Sequence, residues 1–213
     1  MELFGHPFSS FTWKALIPLY DTHTPFTFRN IQGDQFPENE AAFRALWPVG
    51  KFPLLVDDGM AVMESSIIVE HVAPQFVPAD REAAREVRML DRIFDNHVMA
   101  PVQAIVSEHL PFIAETPDPK RIARARAALD TIYPWLDTRL TGREWAAGDD
   151  FSLADCAAAP ALFYADWAHE IPAAYTNLRT YRARLLARPS GVRCVDDARP
   201  YRHFFPLGAP DRD

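Results

Sequence analysis

The chain has 213 residues, a length that suits one large domain or two small ones. Its formal charge of −7 and the lack of any basic segment argue against nucleic acid or an anionic membrane as the main partner. No apolar run is long enough to span a bilayer and no secretory leader is visible, so the expected location is cytoplasmic. Cys156 and Cys194 are far apart and outside any paired spacing, which speaks against a disulfide framework and against a metal site.

The first eighty residues alternate strand and helix. Glu2 to Gly5 reads as a strand, Ser10 to Tyr20 as a helix with an apolar face, Phe26 to Ile31 as a strand and Glu38 to Trp47 as a loose helix. Pro18 falls inside the first helix, where it removes one backbone hydrogen bond and is expected to bend or shorten it. Asp57-Asp58-Gly59 lies between Leu54-Leu55-Val56 and Met60 to Met63, the Asp-Gly signal for a hairpin. Pro53, just ahead, cannot donate to a ladder and belongs at a strand's first residue or at an X-Pro bond in a tight turn. Glu64-Ser65-Ser66 then precedes Ile67, Ile68, Val69 and Val72, so the second hairpin strand feeds a helix whose free N–H groups and positive dipole end form an anion site.

Pro74 to Pro78 is a breaker-rich linker, and Asp80 is placed to cap a long helix. Apolar residues then recur every three or four positions: Val87, Leu90, Phe94, Val98, Val102 and Ile105, then Ile122, Leu129, Ile132, Leu136 and Leu140. A third stripe starts at Leu153 and a fourth at Leu178, so this half is all helical. Pro101 and Pro111 are expected to kink or end the first long helix. Ser152 and Asp155 form a capping box with Asp in place of Glu, which is a structural role. The expected division is residues 1–77 and 81–213.

The strand with its X-Pro bond, the hairpin and the Glu-Ser helix start resemble, in this order and spacing, the glutathione-binding half of the soluble glutathione transferases. The order β-α-β-α-β-β-α is likewise similar to a thioredoxin-like domain, and Phe151-Ser152-Leu153-Ala154-Asp155 is similar to the F-S-x-A-D signature of the family's helical domain. The resemblance covers almost the whole chain. It implies an α/β thioredoxin-like N-terminal domain followed by an all-α C-terminal domain, and glutathione as co-substrate with no metal. It further implies attack on a small apolar electrophile, a detoxifying role, and a homodimer. Isomerisation, peroxide reduction or dehalogenation with glutathione, or a non-catalytic glutathione-binding regulator on the same fold, are the alternatives.

Such chemistry needs a thiol ionised near neutral pH, against a free value of about 8.5. A shift of two units takes about 2.7 kcal/mol. A helix N-terminus supplies roughly 0.3–2 kcal/mol and a hydroxyl hydrogen bond to an anion roughly 1.5–3. Serine-type members, such as the theta and zeta classes, place their catalytic serine between the first strand and helix, where this chain has Ser9-Ser10-Phe11-Thr12-Trp13-Lys14. Alignment with the zeta-like S-S-x-S-W-R pattern puts Ser9 first, Ser10 second and Thr12 third, and the choice among them stays open. Phe11 stands where zeta enzymes have cysteine, and with no cysteine near this helix a protein-thiol reaction is disfavoured.

By the same resemblance, the backbone of Phe52 before Pro53 pairs with the cysteinyl part of glutathione. Glu64 takes the γ-glutamyl ammonium, Ser65 the γ-glutamyl carboxylate and Lys51 the glycyl carboxylate. The segment Gly33 to Glu40 is a further source of contact. The acceptor pocket is expected near Phe8, Phe11, Asn96, Met99 and Pro101. His97, alone on its helix, is read as packing or solvated.

Overall fold

The computed structural model describes residues 1–32 and 34–213; Gly33, at the head of the segment expected to add a contact, lies outside the described residues. The first half contains β1 (Glu2–Gly5), α1 (Ser10–Asp21), β2 (Thr27–Asn30), α2 (Pro37–Leu46), β3 (Leu54–Asp57), β4 (Met60–Met63) and α3 (Ser65–Val72). The strands form one sheet in the order β2-β1-β3-β4, with β1 parallel to β2 and antiparallel to β3.

Strand periodicity explains the layers. Leu3 pairs with Leu55 and Leu55 with Val62, and all three join the main core with α1 and α3. Their neighbours Phe4 and Leu54 point to the opposite face and pack with Phe43 of α2 in a smaller core. The hairpin turns at Asp58 and Gly59, both at positive φ, as an Asp-Gly turn requires.

Pro18 neither breaks nor shortens α1, which runs one residue past the expected end, to Asp21. The helix is clamped by tertiary packing: Trp13, Leu16, Ile17 and Leu19 are all buried. That burial outweighs one lost backbone bond.

The second half contains α4 (Arg81–Ile93), a π-helical turn (Phe94–Met99), α5 (Ala100–Ser107), α6 (Pro119–Arg139), α7 (Leu153–Ala168), α8 (Thr176–Ala187), α9 (Pro189–Ala198) and a 3₁₀ turn (Arg199–Phe204). Asp80 caps α4, its carboxylate accepting from the N–H groups of Glu82 and Ala83. The long helix is not cut at Pro101. Its register widens to π just before the proline, which then sits in the first turn of α5, where no donor is needed. α5 ends at Ser107, ahead of Pro111.

Every residue of α7 is buried, and its many alanines let α1, α4 and α8 approach closely. Asp155 does more than close a capping box. One of its oxygens accepts from the Ser152 N–H and hydroxyl, and the other from the Ala146 N–H and the Tyr181 hydroxyl. No helix among the described residues is long and apolar enough to cross a membrane.

Candidate functional site

The loop from β1 to α1 places Ser9 at the N-cap of α1, its hydroxyl oxygen accepting from the Thr12 N–H at 3.3 Å. Accepting uses a lone pair, so the Ser9 O–H proton remains available to a second partner. Ser10 opens the helix and lines the same cleft as Ser9. Thr12 does not. It is wholly buried against Gly5, where an added Cβ would meet it at 2.7 Å, and its hydroxyl has no partner among the described residues. Two of the three candidate hydroxyls are therefore brought to the cleft.

The Phe52-Pro53 bond is cis, and Phe52, Pro53 and the exposed Lys51 line the cleft beside β3. Lys51 makes no ion pair among the described residues. Glu64 has φ +67°, a left-handed backbone that costs a non-glycine residue roughly 1–3 kcal/mol and is kept where the surroundings enforce it. Its side chain leaves the first-turn N–H groups of α3 uncapped, so the positive end of α3 meets the cleft at Glu64 and Ser65.

Behind these two helix starts lies a buried charge cluster. Lys14 of α1 sits 2.5 Å from Asp91 and 2.7 Å from Asp95, and donates to the Ser66 hydroxyl at 2.9 Å. Ser66 donates to Asp91, and Arg92 reaches Ser66, Asp91 and Asp95. The cluster ties α1, α3 and α4 together. Burial raises the Asp95 carboxyl, though Lys14 and Arg92 pull it down.

The cleft has a volume of about 980 Å³. Its charged side chains are Lys51 ahead of β3, Glu64 at the start of α3, Arg92 of α4 and Asp95 of the π turn. Toward α5 it is walled by Met99, Val102, Val106 and Leu110 on one side and Phe8 and Phe11 on the other. Asn96 also lines it, whereas Pro101 and the exposed His97 do not.

Several lining residues escaped sequence reasoning: His6, Arg92, Tyr164, Phe112, Ile113 and the segment Phe204 to Pro206. They come from five separate places in the chain and no local pattern joins them. His6 had a signal, since it is a polar residue at a strand end next to the candidate serines. Its Nδ1 accepts from the Phe8 N–H at 3.1 Å, and burial lowers its basicity, partly offset by Gln32. Cys156 and Cys194 are buried with their thiols pushed up by burial, and neither reaches the cleft.

Two family models match the chain: the glutathione S-transferase N-terminal domain over residues 1–74 and the glutathione S-transferase C-terminal domain over residues 119–184. Among curated proteins it is similar to FtsZ-localized protein A of Caulobacter vibrioides, 28% identical over 83% of this chain and 82% of that one. It is also similar to glutathione S-transferase GstB of Escherichia coli, 27% identical over 76% and 82%. A solved glutathione S-transferase from Rhodospirillum rubrum superposes with a TM-score of 0.75 at 25% identity, covering 91% of both chains.

Proposed function

The chain belongs to the glutathione S-transferase family, and on that footing we propose that it ionises the thiol of glutathione and adds it to a small, uncharged, apolar electrophile. One observation carries this reading. Two uncapped or hydroxyl-capped helix starts, at Ser9 and at Ser65, line a single cleft, with the leading edge of β3 beside them.

In this reading the Phe52 backbone extends β3 by pairing with the cysteinyl residue. Glu64 holds the γ-glutamyl ammonium, Ser65 and the start of α3 the γ-glutamyl carboxylate, and Lys51 the glycyl carboxylate. The sulfur then lies at the start of α1, where Ser9 donates its free O–H proton and Ser10 is the alternative donor. A helix end and one charge-assisted hydrogen bond together supply the roughly 2.7 kcal/mol that a two-unit shift requires. The nucleophile is the thiolate, which attacks the electrophilic carbon held in the apolar region and expels its leaving group or charges its conjugated system. Residues 1–77 form the glutathione-binding unit and residues 81–213 the helical unit, and the protein works as a cytoplasmic homodimer.

Calorimetry with glutathione, followed by assays with a halo-nitrobenzene, an isothiocyanate and a hydroperoxide, tests the proposal. Binding with turnover of the first two supports it; turnover of the hydroperoxide alone moves the activity to peroxide reduction. No binding defeats it. A second reading is favoured by a relative named for localisation with FtsZ: a protein that keeps glutathione binding on this fold and acts without catalysis. Binding with no turnover across the panel supports that one.

A further inference from the structure

The peptide plane between Phe8 and Ser9 is held at both ends. The Ser9 N–H donates to the His6 carbonyl at 3.0 Å, and the Phe8 carbonyl accepts from the Tyr164 hydroxyl at 2.8 Å. Because a peptide unit is planar, fixing its N–H and its C=O fixes its rotation and with it the direction in which Ser9 leaves the loop. The neighbouring groups are satisfied too. The Trp13 indole donates to the Pro7 carbonyl at 2.6 Å, and the Phe8 N–H donates to His6.

Tyr164 belongs to α7, in the helical half, 156 residues along the chain from Phe8. Its hydroxyl is the polar tip of a ring that is otherwise packed among Phe8, Trp13, Phe163, Trp167 and Phe205. The ring is locked, so the hydroxyl is delivered to one place. Ser9 lies in the first half and Tyr164 in the second, and both line the cleft.

We propose that Tyr164 is a positioning residue for thiol activation: its hydroxyl, through the Phe8 carbonyl, sets the placement of the Ser9 hydroxyl from the helical half. This rests on the function proposed above. Loss of the hydroxyl leaves a carbonyl without its partner, which the Phe8-Ser9 peptide relieves by rotating. A displacement near 1 Å at a reacting group lowers rates by up to about a hundredfold.

The test is Tyr164→Phe, which keeps the ring and its packing, compared with Ser9→Ala and the double variant. The bound thiol is titrated by its thiolate absorbance, and kcat/KM is followed against pH. Tyr164→Phe is expected to raise the thiol pKa by about one unit and to lower kcat/KM near neutral pH about tenfold. Glutathione affinity should stay within about twofold, and Ser9→Ala combined with Tyr164→Phe should cost no more than Ser9→Ala alone. Faster hydrogen exchange at the Ser9 amide in Tyr164→Phe gives an independent sign of the released peptide. An unchanged titration and rate in a wild-type background that does ionise bound glutathione overturns this inference alone, as do fully additive losses. A wild-type chain that binds no glutathione removes the proposed function and this inference with it.

Discussion

Lys14 Nζ lies 2.7 Å from Asp95 Oδ2, joining the first helix of one half to the π turn of the other, with the lysine entirely buried. A buried cation between two carboxylates is stable only as a set, and removing it leaves Asp91 and Asp95 with Arg92 as their one remaining cation among the described residues. Lys14→Met is therefore expected to destabilise the protein by about 3–5 kcal/mol. Urea denaturation of the variant checks this, and a loss below 1 kcal/mol would show that Arg92 alone neutralises the pair.

The same cluster sets a pH dependence. Burial raises the Asp95 carboxyl from its ordinary value despite its cations, so between the unfolded and folded values the folded chain keeps a proton that the unfolded chain has already released. In that window the folded state binds more protons, and this group's share of the stability falls as pH rises through the folded value. Asp95→Asn should flatten that part of the curve of denaturation midpoint against pH. Identical slopes in both proteins would remove Asp95 as the titrating group.

Thr12 separates the candidate hydroxyls from the opposite direction. Its buried hydroxyl has no partner among the described residues, so Thr12→Val should stabilise the fold by roughly 1 kcal/mol and leave turnover unchanged. Ser9→Ala should cost about 1 kcal/mol of stability through its cap and about 10- to 100-fold in turnover. Thermal denaturation alongside steady-state kinetics tests both. A large activity loss in Thr12→Val would return that hydroxyl to the site.

How much of this was legible in the sequence differs between the two halves. Local chemistry marked the first half's side of the cleft: the proline before β3, the Asp-Gly turn and the Glu-Ser helix start are neighbours in sequence, and Pro53, Glu64 and Ser65 line the same cleft. Helical periodicity likewise marked α4, α6, α7 and α8. Pro18 did not shorten its helix, because tertiary packing of Trp13 and Leu16 overrides a local breaker, and Pro101 did not end the long helix, which passes through a π turn just upstream. Thr12 ranked third behind Ser9 and Ser10 in sequence but stayed a candidate there, since its inward direction depends on Gly5 of a neighbouring strand. Tyr164, Phe112 and Phe204 were invisible as site residues because only the packing of the helical half brings them to the cleft.

Phe112, in the connection from α5 to α6, lines the cleft while 82% exposed. An exposed ring at a cleft wall has little to lose in folding and apolar area to offer an acceptor. Phe112→Ala should raise KM for a bulky aromatic electrophile about 3- to 10-fold. KM for glutathione and the melting temperature should stay as they were. Equal KM values for the aromatic acceptor in both proteins would place the acceptor elsewhere.

The most direct test is a pH titration of the thiolate absorbance of glutathione bound to the wild-type protein. A bound thiol ionising well below the free value of about 8.5, and returning toward it in Ser9→Ala, is the expected result. Glutathione that fails to bind, or that binds and titrates like the free thiol, would contradict the reading of this cleft as a site of thiol activation.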